Sequence, residues 1–279
     1  MRKIFAYDLD GTLLLKDNTV HPFTKAALDE VHKKGGLNVV ATGRGFKKVI
    51  PLIESGELSN IDYFVCSNGA AIYNRLENKV ILLKELKKEA FEVMKKTAQK
   101  YQSILTLDTT TYNGTFLPNG KFPDWMSQEQ IMDLNVLNLA SLEEIQNIIN
   151  DPETKITQIA LRNPANLAVK ITNEVREQLN PNDFEIYLTN SIYTDANPKG
   201  ASKWNGLKAL LDMLNESSSN LIAFGDSGND VDMLKNASIG ISLGNGTKES
   251  KEAANYVIGD HQTGTIGETL LKIINEQKI

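Results

Sequence analysis

A single cysteine, Cys66, leaves this chain unable to form an internal disulfide, so a reducing compartment, the cytoplasm, is the expected setting. Histidine is nearly as scarce. His21, His32 and His261 lie far apart and in no zinc-type spacing, which suits surface or helix positions better than a zinc centre. No apolar run approaches the length of a membrane span. The short one after Arg2 and Lys3 is interrupted at Asp8, so neither a signal peptide nor a membrane partner is expected. A basic surplus is also missing. With 30 Lys and Arg against 35 Asp and Glu, the formal net charge of −5 argues against non-specific nucleic-acid binding. Anionic metabolites stay compatible with that balance, because backbone amides, one or two lysines and a metal can hold a phosphate locally.

Hydrophobic residues make up 41% of the 279 and charged residues 23%, enough for well-filled cores, and the length suits two unequal domains. Strand-like and helix-like segments alternate through the first 73 residues: strands at 3–8, 37–41 and 63–66, helices at 23–34 and 46–54. Pro22 suits a helix start and Gly35-Gly36 its end. Such alternation predicts a parallel sheet covered by helices, an α/β fold. The pattern returns late, with a helix face at Trp204, Leu207, Leu211 and Leu214, strands at 221–225, 238–243 and 256–258, and a helix at 264–276. Between these blocks, 84–194 reads as an inserted domain, with helix 87–101, strands 104–107, 156–162 and 184–188, and a helix marked by Leu167, Ile171, Val175 and Leu179. Residues 113–133 read as a loop with an aromatic anchor at Phe116, Phe122 and Trp125. The expected division is a core of 1–83 and 195–279 and an α/β cap of 84–194.

Four strand-to-loop junctions carry small polar or charged residues: Asp8-Leu9-Asp10-Gly11-Thr12, Thr42-Gly43-Arg44, Ser67-Asn68-Gly69 and Gly225-Asp226-Ser227-Gly228-Asn229-Asp230. In an open parallel sheet such junctions meet at one edge, where ligands bind. Asp8 and Asp10 would point the same way along a continuing strand. Two charges about 4 Å apart repel by roughly 4 kcal/mol at an effective dielectric near 20, so a cation, a proton or a turn must separate them. Asp8, Asp226 and Asp230 offer only oxygen donors, which favours Mg²⁺ over zinc. An aspartate beside a metal can attack phosphorus, and a second acid can protonate the leaving alcohol and then activate water; Asp8 and Asp10 fit these roles. Thr42 offers a hydroxyl to phosphate oxygens, and Lys199 or Lys203 could neutralise the anion. An isolated Asp-x-Asp-Gly turn is more often a solvated loop; four such junctions in order are not. Thr42-Gly43-Arg44-Gly45 fails as a dinucleotide loop at Lys48, and Cys66 reads as a small buried hydrophobe.

In this order the motifs resemble the haloacid dehalogenase superfamily of phosphatases, and within it the Cof-type branch with a type IIB α/β cap. The first motif is similar to Asp8-Leu9-Asp10-Gly11-Thr12-Leu13, the second to Thr42, the third to Lys203 and the fourth to Gly225–Asp230. Ser67-Asn68-Gly69-Ala70 also looks like a segment of that branch. The resemblance implies a Rossmann-like core and Asp8 as nucleophile. It implies Asp10 as acid and base, and Mg²⁺ held by Asp8, the Asp10 backbone carbonyl and Asp226 with support from Asn229 and Asp230. Thr42 and Lys203 then complete the catalytic set, while Gly43, Arg44 and Asn229 meet the substrate. Two departures stand out: Trp204 follows Lys203 where the branch has glycine, which would crowd the helix start, and Gly244-Asn245-Gly246 replaces Gly-Asn-Ala. The implied activity is Mg²⁺-dependent hydrolysis of a small phosphorylated metabolite through an aspartyl-phosphate, with the cap closing over the site and setting specificity. A phosphomutase using the same residues, or a non-catalytic phosphometabolite-binding regulator, are the alternatives. The expected assembly is a monomer or small homo-oligomer.

Overall fold

The computed structural model describes residues 2–126 and 137–277. They divide into two compact units, one of Met1–Arg44, Val49–Ile81 and Ser202–Ile279, the other of Gly45–Lys48 and Leu82–Ala201. The chain opens with β1 (Ile4–Tyr7), α1 (Pro22–Lys33), β2 (Leu37–Ala41), α2 (Phe46–Glu54), β3 (Tyr63–Cys66), β4 (Ala71–Asn74) and β5 (Lys79–Leu82). The second unit follows with α3 (Glu89–Tyr101), β6 (Ile104–Thr109), β7 (Asn113–Phe116), α4 (Leu142–Asn150), β8 (Ile156–Arg162), α5 (Ala168–Gln178), β9 (Phe184–Thr189) and β10 (Tyr193–Pro198). The return to the first unit is α6 (Lys203–Met213), β11 (Leu221–Gly225), α7 (Val231–Asn236), β12 (Ile239–Ser242), α8 (Lys248–Ala253), β13 (Tyr256–Val257) and α9 (Thr265–Ile274).

The first unit is built on an eight-stranded sheet of order β13-β12-β11-β1-β2-β3-β4-β5. From β13 to β3 the neighbours are parallel, and β4 turns back antiparallel on β3. Strands β1, β2, β3 and β11 are buried throughout, as expected of a sheet covered on both faces, and their sequences are accordingly near-continuous apolar runs. Register decides where the chemistry goes. Tyr7 stands opposite both Phe224 and Val40, and Ala41 opposite Val65. The residues that follow, Asp8, Thr42, Ser67 and Asp226, therefore emerge together at one edge. The apolar face of α1 is Ala27, Leu28 and Val31, and His21 caps its start, its Nδ1 accepting from the Phe23 amide at 3.2 Å.

The second unit has a five-stranded sheet, β7-β6-β8-β10-β9, antiparallel throughout. Phe91 and Met94 of α3, Ile145 and Ile149 of α4, and Ile171 and Val175 of α5 form a buried cluster with Leu105, Leu107, Ile159 and Leu161 of the strands. Alternation then puts Asp108, Gln158 and Arg162 on the other sheet face. There Asn113 donates to Asp108 at 2.7 Å and Asn197 to Gln158 at 3.0 Å.

Two segments differ from the sequence expectation. Residues 113–116 form β7, paired antiparallel with β6, although Asn-Gly-Thr-Phe shows no apolar alternation. Phe122 and Trp125 pack against the small cluster of Ile104, Leu117 and Met126, while 127–133 lie outside the described residues. The second unit also extends to Ala201. Tyr193–Pro198 pairs with both β8 and β9, and that pairing carries the chain past position 194 before it leaves the unit.

Candidate active site

Strand β1 delivers Asp8 while still in the ladder, its amide donating to Phe224 O at 2.9 Å. The chain then turns at Gly11, whose φ of +85° is one that side chains rarely adopt; a Cβ there would lie 2.6 Å from an Asp226 carboxylate oxygen. Thr12 Oγ1 donates to Asp226 Oδ1 at 2.8 Å, tying the first junction to the fourth. Asn245 Nδ2 donates to Gly11 O at 2.8 Å, so the turn containing Gly246 also braces the site.

Lys203 opens α6 just after its cap, Ser202, whose hydroxyl accepts from the Asn205 amide. Its side chain is 1% exposed, and its ammonium donates to Asp8 Oδ1 at 2.5 Å and Asp230 Oδ1 at 2.7 Å. Burial alone would lower the Lys203 pKa, yet the charges and hydrogen bonds of Asp230 and Asp8 hold it above its ordinary value. Lys199 lies instead in the second unit, paired with Glu185 at 2.9 Å.

Burial pushes the Asp8 carboxyl well above its ordinary range; Lys203 opposes this and the carboxylates of Asp230, Asp226 and Asp10 add to it. Burial and Asp230 raise Asp226 as well, against the hydrogen bond from Thr12. Such crowding of acids is what a cation relieves. Carboxylate oxygens of Asp8, Asp226 and Asp230 lie within 4.8 Å of one another, and an oxygen-only donor set fits a hard divalent ion. Both oxygens of Asp230 are already engaged: Oδ1 accepts from Lys203, and Oδ2 from the amides of Asp226 and Ser227 at 3.0 and 2.9 Å. Its carboxylate thus ties Lys203 to the fourth junction.

Arg44 forks onto Asp10, Nε donating to Oδ2 at 2.9 Å and Nη2 to Oδ1 at 2.5 Å, and also reaches Asn18. Thr42 is buried, and its Oγ1 accepts from the Arg44 amide at 3.0 Å. Gly43 faces Asn68, whose Oδ1 would lie 3.4 Å from a Cβ at that glycine. Asn229 donates to the same Asn68 oxygen at 2.9 Å and accepts from Ser227 Oγ at 2.7 Å. The structure thus gathers Asp8, Asp10, Thr42, Gly43, Arg44, Lys203, Asp226, Asn229 and Asp230 in one unit, at the sheet edge.

The family model of haloacid dehalogenase-like hydrolases matches residues 5–270, reaching from β1 into the last helix. The chain belongs to that family. This haloacid dehalogenase-like chain is 29% identical over 257 residues to 5-amino-6-(5-phospho-D-ribitylamino)uracil phosphatase YcsE of Bacillus subtilis (strain 168), covering 91% of the chain and 89% of the relative. It is 25% identical over 284 residues to the Escherichia coli (strain K12) phosphatase of the same name, YbjI, covering 99% and 97%. Among solved structures it is similar to a haloacid dehalogenase-like hydrolase from Bacteroides thetaiotaomicron, with a TM-score of 0.80, 20% identity, and 98% and 100% coverage. The subclass IIB sugar phosphatase BT4131 superposes with a TM-score of 0.77 at 22% identity, covering 97% and 98%. These structural likenesses agree with the α/β core and inserted α/β cap expected from the motifs.

Some supporting residues of the haloacid dehalogenase-like site were not singled out from sequence. Thr12 and Asn68 stood inside quoted motifs without a role. Asn18 and Ser250, the latter donating to Asp226 O at 2.9 Å, carry no local signal, since only the folded loops bring them near.

Proposed function

We propose that this chain is a Mg²⁺-dependent phosphomonoesterase acting on small phosphorylated metabolites, with Asp8 as nucleophile. The observation that carries the reading is the buried Lys203 ammonium bridging Asp8 and Asp230 beside Asp226. Lys203 orients Asp8 Oδ1 and leaves its other carboxylate oxygen to attack phosphorus, while its charge draws the phosphate in. Asp8 and Asp226, with the Asp10 backbone carbonyl, would hold the cation. When bound, it neutralises the like charges of nucleophile and phosphate. The Thr42 hydroxyl and the amides around Gly43 receive phosphate oxygens, and Asn229, fixed by Asn68, lines the same edge.

As the P–O bond to the leaving alcohol breaks, Asp10 gives that oxygen a proton. It then takes one from the water that cleaves the aspartyl-phosphate, returning Asp8 as a carboxylate and releasing inorganic phosphate. Arg44 holds Asp10 until substrate oxygens compete for the guanidinium. The second unit supplies selectivity, as its insertion between the second and third motifs suggests. Sugar phosphates and ribityl-type phosphates are the favoured substrates, on the names of the relatives.

The test is phosphate release from a panel containing 5-amino-6-(5-phospho-D-ribitylamino)uracil, hexose phosphates, pyridoxal phosphate and flavin mononucleotide, with Mg²⁺ or with chelator. Selective release that chelator abolishes and Asp8→Asn removes is expected. Metal-dependent release surviving in Asp8→Asn would overturn the assignment of the nucleophile.

A further inference from the structure

A cleft of about 260 Å³ in the second unit is lined by Trp125, Arg162, Asn163, Pro164, Asn166 and Ile192 among others. Arg162 ends β8, and its guanidinium carbon lies 5.9 Å from the ring centroid of Tyr193, its cross-strand neighbour. Nε and Nη1 of that guanidinium are sequestered from solvent and have no hydrogen-bond partner among the described residues. An arginine is always charged, and sequestered donors without hydrogen-bond partners are costly.

The walls, by contrast, are satisfied. Asn163 accepts from Ser103 Oγ and donates to Thr194 Oγ1, both at 2.8 Å. The Asn163 amide donates to Ile192 O at 2.9 Å, and Trp125 Nε1 donates to Gln102 O at 3.0 Å. The cleft is therefore preformed, with Nε and Nη1 of Arg162 unspent.

We propose that this cleft is a binding site for a small anion, the Arg162 fork receiving carboxylate or phosphate oxygens while Trp125 covers the ligand's apolar part. The inference does not rest on the roles of Asp8 and Lys203, because every lining residue lies within Leu82–Ala201. Its size, below the common range of about 300–1,000 Å³ for drug-sized ligands, restricts it to a compact one.

The chain has two tryptophans, so Trp204→Phe leaves Trp125 as the reporter. That protein is titrated with malonate and with inorganic phosphate at constant ionic strength in the presence of chelator. A saturable change in emission is expected, weakened roughly ten- to a hundredfold in Arg162→Gln, as loss of charge-assisted bonds implies. Response to malonate alone assigns a carboxylate ligand, and to phosphate alone a phosphate ester. Calorimetry with both probes on the chain with its native tryptophans repeats the comparison independently of Trp204→Phe. Arg162→Gln is also expected to keep the melting temperature, since it removes sequestered donors that hold no hydrogen bond. No saturable response to either probe, an equal response in Arg162→Gln, or a marked fall in its melting temperature would each overturn the proposal.

Discussion

Removing the Lys203 ammonium leaves Asp8 and Asp230 buried without their shared counter-charge. Lys203→Met is therefore expected to destabilise the fold by about 3–5 kcal/mol, the usual cost of breaking a buried pair from one side, measured by urea denaturation. Asp8→Asn keeps the shape and removes one of the crowded charges, so it should lose turnover with a melting curve close to that of the unmodified chain. The raised pKa values of Asp8 and Asp226 fix the sign of a further effect. Without metal, each binds its proton more tightly folded than unfolded. Their contribution to stability is then greatest below the ordinary value of 3.8 and is lost as pH rises through the raised folded values. A bound divalent ion needs both ionised, so Mg²⁺ should raise the denaturation midpoint more at pH 7.5 than at pH 5; an equal gain at both would contradict the assigned ligands.

Among the elements, α6 is held against the first unit's sheet by two glycines. A Cβ at Gly206 would meet Val65 Cγ1 and lie 2.8 Å from Gly69 Cα, and Gly69 itself has a φ of +92°. The crowding expected where Trp204 follows Lys203 is thus met two positions later, with Trp204 left half-buried. Gly206→Ala should cost about 1–3 kcal/mol through overpacking, and because Lys203 begins the same helix, kcat should fall with it; thermal melts and phosphate release report the two. Strands such as β2, β3 and β11 were legible because two-sided burial writes them as apolar runs. By contrast, β10 was not: Thr194, Asp195 and Asn197 of Tyr-Thr-Asp-Ala-Asn-Pro are buried with hydrogen-bonded side-chain partners. The four junctions were legible because each is a break in an apolar run, whereas the Arg44–Asp10 fork and the Asn68–Asn229 bond join side chains that only the fold brings together.

At the scale of the whole molecule, all nine candidate site residues fall in the first unit while the second is one insertion plus the short segment Gly45–Lys48. Exchanging 82–201 for the corresponding segment of YbjI should leave Mg²⁺-dependent phosphate release intact and transfer the substrate ranking of the donor. The check is kcat/KM across the same panel; a ranking that stayed with the first unit would contradict the division of labour. The position of the boundary at Ala201–Ser202 could not be read from composition, because what places β10 in the second unit is its pairing with β8 and β9.

The central pairing of the larger sheet, β1 with β11, joins Ile4 to Leu221 and so spans the entire insertion. In synthesis β2 is available to β1 long before β11, and residues 82–201 have all been made before residue 221. Until residue 203 is made, neither Lys203 nor Asp226 exists to stand beside Asp8. Asp8, the proposed nucleophile, can meet Lys203 and Asp226 only after both have been synthesised, so a product truncated before residue 203 would lack the proposed hydrolytic centre.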